Sequence, residues 1–331
     1  MLLKYAACLV AAVVRVAAHH PPRPRAPGVA FGLTPDYGTA VIHLKNGTTI
    51  PIAQVQGSAE YQAFMRVNTT APADESSLCK WFAPTLDRLP SALGLNVDIC
   101  RSPDLISTKA LISSLKLSVE SHLGTNICFA SLVLDDPTSP QARIAEQALE
   151  LSGLRQVMPT VRRAKEVLYD LESDQAPAFD EEPWTVLVLE YDAHWYSFGL
   201  YTIEEDGIVS HLEDPVHGPR ISIDGQMDSL KKEIKESLAS LPPSVERPRQ
   251  LFMYGEQADN AELLDFLAEN LGSDLVKERR ADTSVYAGMG YMARAAHERM
   301  DDVQFETRDQ SQGAWMCKWR SKLYKEDHEE L

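Results

Sequence analysis

The sequence predicts a mixed α/β fold in two similar lobes, and three observations carry that prediction. Strand-like apolar runs come in pairs joined by turn residues, and amphipathic helices follow each pair. The same order, a hairpin first and helix–strand–helix after it, occurs twice along the chain. Between the two runs lies an acidic loop, Glu172 to Pro183, that no periodic pattern crosses.

The elements follow in order. Gly32 to Ile52 reads as strand, turn and strand: Ala40 to Leu44, then Asn46-Gly47, then Thr48 to Ile52. Asn-Gly between apolar runs is a strong hairpin signal. Residues 68–104 are rich in Pro, Ser and Asp and read as irregular. Leu111, Leu115, Val119 and Leu123 share one helical face, and Gly124 stands where a C-cap belongs. Ile127 to Leu134 is a buried-type strand ended by Asp135-Asp136-Pro137, and a helix from about Gln141 to Ser152 stops at Gly153. The second half opens with Trp184 to Tyr191, continues with Trp195 to Ile203, and turns at Glu205-Asp206-Gly207 into Ile208 to Leu212. Met227, Leu230, Ile234, Leu238 and Leu241 stripe a helix; strand Gln250 to Tyr254 follows, then a helix with Leu263, Leu264, Leu267 and Leu271 before Gly272. A small-residue helix from about Thr283 to Met300 closes the series.

Composition bounds the partners. The 331 residues carry 32 Lys+Arg against 48 Asp+Glu, a formal net charge of −16 that repels phosphate backbones and makes nucleic acid a poor partner. With 44% hydrophobic residues the chain can bury a real core, and no apolar run approaches a membrane span. Lys4, the apolar stretch Tyr5 to Val14 and the small residues Val16-Ala17-Ala18 read as a signal peptide over residues 1–18. A Pro-rich leader spans 19–28. The end, His328-Glu329-Glu330-Leu331, is a close variant of the lumenal retrieval address, so the expected location is the endoplasmic reticulum lumen, or outside the cell if that address is not read. Asn46-Gly47-Thr48 and Asn68-Thr69-Thr70 are glycosylation acceptors, which makes a lumenal glycoprotein the expectation. Of five cysteines, Cys8 leaves with the signal; Cys79, Cys100, Cys128 and Cys317 allow one or two disulfides or buried thiols, and their spacing matches no zinc pattern.

Particular residues in this order resemble one superfamily. Phe31-Gly32-Leu33-Thr34-Pro35-Asp36-Tyr37-Gly38-Thr39, the hairpin after it and Ile52-Ala53-Gln54-Val55-Gln56-Gly57 resemble the opening of DnaK-type (70-kDa heat-shock) chaperones, whose first phosphate loop leads to I-A-N-D-Q-G. Leu123-Gly124-Thr125 with the following strand, and Ile144-Ala145 through Leu151-Ser152-Gly153-Leu154, resemble that family's next segments. Trp184 to Gly207 sits where its second phosphate hairpin lies, Leu251 to Glu256 on its adenosine-site strand, and Arg280 to Gly288 on its N-P-D-E-A-V-A-x-G helix. The resemblance covers most of residues 29–300. It implies an actin-like ATPase (ribonuclease H-like) two-lobed fold with reduced subdomain insertions and no peptide-binding domain. Lobe I then spans 29–171, the acidic linker 172–183, lobe II 184–300, and a C-terminal helix with the retrieval tail 301–331.

The residues that would carry that family's chemistry depart from its pattern. Phosphate loops use glycines so that backbone N–H groups approach the anion, with an Asp positioning metal-bound water. Against the family's D-L-G-T-T stand Thr34-Pro35-Asp36-Tyr37-Gly38; Pro35 donates nothing, and only a slipped register, Asp36-Tyr37-Gly38-Thr39, restores Asp-x-Gly-Thr. Against D-L-G-G-G-T stand Glu190-Tyr191-Asp192-Ala193-His194-Trp195, with no glycine and two carboxylates where a triphosphate would lie. Met158-Pro159-Thr160 lacks the acid of N-E-P-T, and at the adenosine strand Gly255-Glu256 keeps one glycine of G-G-S.

A degenerate nucleotide cleft of Thr34, Asp36, Tyr37, Gly38, Thr39, Glu190, Asp192, His194, Gly255, Glu256 and Gly288 is therefore expected, with no catalytic residue, no metal and no cofactor. Gly288-Met289-Gly290-Tyr291-Met292-Ala293 spells a dinucleotide fingerprint but reads as close helix packing, and Asp192, His194, His211 and His217 read as hairpin residues rather than metal ligands. The function implied is a non-catalytic, pseudo-ATPase chaperone-like protein that binds or regulates other proteins. Two alternatives stand beside it: a chaperone ATPase core binding ATP or ADP with Mg and hydrolysing ATP weakly, and an unrelated secreted α/β enzyme.

Overall fold

The computed structural model describes residues 26–66, 102–171, 177, 181–204, 207, 209–212, 216–217, 223–240 and 248–300. The signal-like segment, Asn68, Cys79, Cys100, Cys317 and the retrieval tail lie outside the described residues.

Lobe I begins with β1 (Gly28–Leu33), β2 (Tyr37–His43) and β3 (Thr49–Gln56), each antiparallel to the one before. Every residue of β1 and β2 is buried, because layers cover both faces of this part of the sheet. Then come α1 (Ala59–Arg66), α2 (Pro103–Leu123), β4 (Phe129–Leu134) and α3 (Pro140–Leu151). Helix α2 starts where Ser102 accepts the Leu105 N–H ahead of a first-turn proline, and ends at Gly124 in the left-handed conformation. Its Leu111, Leu115, Val119 and Leu123 pack into the lobe I core with Val29, Phe31 and Leu33. Strand β4 runs parallel to β1. Two short pieces, β5 (Arg155–Gln156) and β6 (Val161–Arg162), pair in turn with β4 as an interrupted fifth strand around Pro159. Helix α4 (Arg163–Leu171) ends the lobe.

Lobe II repeats the plan. Strands β7 (Trp184–Tyr191) and β8 (Tyr196–Ile203) form a hairpin, and β9 (Val209–His211) and β10 (Val216–His217) both pair with β8 as a broken third strand. Helix α5 (Ile223–Ser240), β11 (Gln250–Tyr254), α6 (Ala261–Leu271), α7 (Ser273–Lys277), β12 (Arg280–Asp282) and α8 (Met289–Met300) complete it. β11 is parallel to β7 and to β12. The sheet orders are β3-β2-β1-β4-β5 and β10-β8-β7-β11-β12, so the same order of third, second, first, fourth and fifth strand occurs twice.

Several elements differ from the sequence expectation. Residues 283–288 do not begin the last helix, and Arg280–Asp282 is an edge strand where the resemblance placed a helix. Helices α1 and α4 and the split strands escaped notice; two-residue strands carry no period, and nine residues or fewer show too few turns of one.

The last helix of each lobe crosses to the other. Ala164, Val167 and Leu168 of α4 pack beneath the lobe II sheet against Val186, Val188, Phe252 and Tyr254. Met289, Met292 and Ala293 of α8 pack on lobe I against Ala30, Val41 and Val133. Gly28 permits the second docking, since a Cβ there would lie 1.9 Å from the Ala293 carbonyl oxygen. The two helices touch each other as they pass, with Tyr169 and Tyr291 stacked at 5.0 Å between ring centroids. This exchange brings the β1–β2 and β7–β8 turns face to face. Among the described residues no helix is long and apolar enough to cross a membrane.

Candidate functional site

The lobe I side of the cleft is a closed four-residue turn. The Thr34 N–H donates to the Tyr37 carbonyl at 2.9 Å, and the Thr34 hydroxyl donates to the same oxygen at 2.9 Å. That hydroxyl also accepts the N–H groups of Asp36 at 3.3 Å and Tyr37 at 3.0 Å. The amides that a phosphate loop would aim at an anion therefore point at a side chain of the same turn. The slipped register is not used as a loop, because Tyr37, Gly38 and Thr39 are ladder residues of β2 paired with Gln56, Val55 and Gln54. The Tyr61 hydroxyl donates to the Thr34 carbonyl at 2.8 Å, and the Gly57 N–H donates to the Asp36 carbonyl at 2.8 Å, so α1 and the end of β3 brace the turn. Arg66 of α1 donates to Asp36 Oδ1.

The lobe II turn is built alike. The Asp192 N–H donates to the Trp195 carbonyl at 3.0 Å, closing Asp192-Ala193-His194-Trp195 as a second four-residue turn. Asp192 Oδ1 accepts the Glu256 N–H at 2.7 Å, and the Tyr191 carbonyl accepts that of Gln257 at 3.0 Å. Gly255 makes this approach possible, with φ at 103° and no room for a Cβ, which would lie 2.6 Å from the Tyr191 carbonyl oxygen. Burial pushes the Asp192 carboxyl up to about 6, against the opposing pull of the Glu256 N–H and Arg163.

Between the turns the floor is ionic. Arg163, the first residue of α4, donates from Nη1 to Glu190 Oε1 at 3.2 Å, and their side chains are 2% and 1% exposed. A cation at a helix N-terminus opposes the helix dipole, and Glu190 offsets both that and the loss of water. Burial pushes Glu190 well up, nearby Asp135 adds to the rise, and Arg163 opposes it. Arg163 Nε and Nη2 find no partner among the described residues. Nη2 would stand 3.0 Å from a Cβ placed on Gly32, so the guanidinium reaches the lobe I sheet as well. Burial likewise pushes the phenols of Tyr37 and Tyr254 up.

The predicted cleft residues sort cleanly. Asp36 and His194 meet, with His194 Nδ1 and Asp36 Oδ2 3.1 Å apart across 158 residues of sequence. Thr34 and Tyr37 belong to the first turn, and Asp192 and Glu256 meet beside Gly255. Glu190 lies on the floor with Arg163. Thr39 is buried with its hydroxyl beside Gly32. Gly38 instead faces Leu115 and Leu111 of α2, and Gly288 lies on the α4 backbone at Glu166 and Val167. Of the two carboxyl groups at the second turn, Glu190 is paired with Arg163 and Asp192 accepts the Glu256 N–H. Arg163 and Arg66 went unnoticed in the sequence; their one visible mark is position, a basic residue where a helix begins and one where a helix ends.

Two sheets of one strand order, each opening on a hairpin, with their last helices exchanged and their first turns facing across a cleft, define an α/β two-lobed protein of the actin-like ATPase fold. Among solved structures the chain is similar to that of ethanolamine utilization protein EutJ from Carboxydothermus hydrogenoformans. That similarity has 12% identity and a TM-score of 0.47, over 84% of this chain and 91% of that one. No protein-family model and no curated protein matches.

Proposed function

We propose that this chain is a non-catalytic, pseudo-ATPase relative of heat-shock chaperones, acting as a protein-binding or regulatory module in the lumen of the secretory pathway. The observation that carries the reading is the use of the turn amides. Those of Asp36 and Tyr37 go to the Thr34 hydroxyl, and those of Asp192 and Glu256 to Trp195 and Asp192. Phosphoryl transfer depends on positioning and on electrostatic stabilisation by such groups. A triphosphate entering here would have to break hydrogen bonds in both turns, neither of which has a glycine among its four residues, and lie beside the carboxyl groups of Glu190, Asp192 and Asp36. The lumenal location is part of the proposal, and Asn46, a glycosylation acceptor exposed at the β2–β3 tip, is compatible with it. There its Oδ1 accepts the Thr48 N–H at 2.9 Å.

Thermal unfolding with Mg–ATP and with Mg–ADP tests the reading. A ligand at a hundredfold excess over its Kd adds about 2.7 kcal/mol, a shift of several degrees for lobes of this size. The expected result is an unchanged Tm with either nucleotide. A clear rise would replace the proposal with a nucleotide-binding chaperone core.

A further inference from the structure

The two turns at the cleft are counterparts in the duplicated plan. Each joins the first two strands of its sheet, and in each the first residue donates its N–H to the carbonyl of the fourth: Thr34 to Tyr37, Asp192 to Trp195. Counting along them, the third residue of one is Asp36 and the third residue of the other is His194. These two side chains meet across the cleft at 3.1 Å. Asp36 is 11% exposed in its side chain and held from its other oxygen by Arg66, so it is a fixed acceptor, while His194 is 51% exposed and approaches from lobe II. Braces behind each turn stiffen the pair. Tyr61 and Gly57 hold the lobe I turn, and the Glu256 and Gln257 amides hold the lobe II turn and its strand end.

We infer that the paired turns form a latch, in which Asp36 and His194 hold the lobes closed over the Arg163–Glu190 floor with no ligand in the cleft. A ligand lying between the two turns would have to displace this contact. Here the counterpart side chains bridge them directly, and closure becomes a property of the chain itself. The inference deepens the proposed function, because a cleft bridged by its own side chains favours the closed lobe arrangement without a ligand. It rests on that reading only in that no nucleotide competes for Asp36.

Hydrogen exchange of the two turns in the full chain, read by mass spectrometry without nucleotide, tests the latch. In His194→Ala, exchange is expected to rise roughly two- to fivefold in both turns, the range that a partly exposed polar contact supports. Asp36→Asn, which also weakens the contact with Arg66, should raise exchange in the lobe II turn to the same extent, and there the double variant should add little to either single one, since in that turn both remove the same contact. His194→Gln, whose amide can still donate, should keep part of the protection. Faster exchange confined to the substituted turn, or effects that simply add, would overturn the latch. His194 sits half exposed in a turn, so its variants are expected to fold, and an unchanged Tm checks that they do. Slower exchange on adding Mg–ATP would count against the pseudo-ATPase reading and leave the ligand-free coupling between turns as measured.

Discussion

At the scale of single residues, Arg163 and Glu190 dominate the energetics of the cleft. An ion pair this deeply buried contributes little over an apolar replacement, yet removing one partner strands the other charge at a cost of about 3–5 kcal/mol. Arg163→Met is therefore expected to destabilise the protein by about that much in urea unfolding. Glu190→Gln should cost less than Glu190→Leu alone, because the amide keeps an acceptor for Arg163. Arg163→Met combined with Glu190→Leu should recover most of the loss. If the double variant is as unstable as the worse single one, the pair is not the interaction that matters. Little of this pair was legible in the sequence. Glu190 could be named from the motif it interrupts, but its partner could not, because nothing local to Arg163 says which strand end it will meet.

Among the elements, the exchanged helices set the cleft. Helix α8 lies so close on β1 that Gly28 has no space for a methyl group, with the Ala293 carbonyl oxygen 1.9 Å and the His297 Cβ 2.8 Å from where it would stand. Backbone on both sides leaves nothing flexible to yield. Gly28→Ala should therefore cost about 3 kcal/mol or more and shift α8 off the sheet. Urea unfolding reads the first effect, and faster hydrogen exchange in α8 reads the second; an unchanged protein would mean that helix and strand do not approach so closely. Most elements were visible beforehand. Strand Gln250–Tyr254 and the start and end of Trp184–Tyr191 fall where the apolar runs placed them, and Gly124 caps α2 with φ at 66°. What escaped was short or reassigned: the split strands, and β12, whose Arg-Ala-Asp sequence has no apolar period to betray it.

For the whole molecule, buried acids shape stability against pH. Glu166 on α4 is 4% exposed, and burial pushes its carboxyl from 4.5 up to about 7, with Lys165 opposing. Between those two values the native state holds a proton that the unfolded chain has released, so stability falls as pH rises through the window. Asp192, raised from 3.8 to about 6, acts with the same sign. His43 acts oppositely. Burial, helped by His297 and Arg294, holds it below its usual 6.5, and stability is lost as pH falls beneath that value. Glu166→Gln should then be nearly neutral at pH 4 and stabilising by about 3 kcal/mol at pH 8. Denaturant titrations at the two pH values measure this, and equal effects at both would remove Glu166 from the account.

The sequence by itself determined the two-lobed plan, because apolar period, turn residues and caps act over a few neighbouring positions and recur in the same order in both halves. It also shows directly that neither Thr34-Pro35-Asp36-Tyr37 nor Asp192-Ala193-His194-Trp195 contains a glycine. Only the tertiary structure decided how these two turns are held. The Thr34 hydroxyl inside its own turn, Arg163 against Glu190, and Asp36 against His194 at 3.1 Å are arrangements of side chains in space. The last of these joins positions 158 residues apart, and only the crossing of α4 and α8 brings them together. Local chemistry writes the elements into the chain, whereas the pairing of charges across a cleft exists only once the lobes have packed.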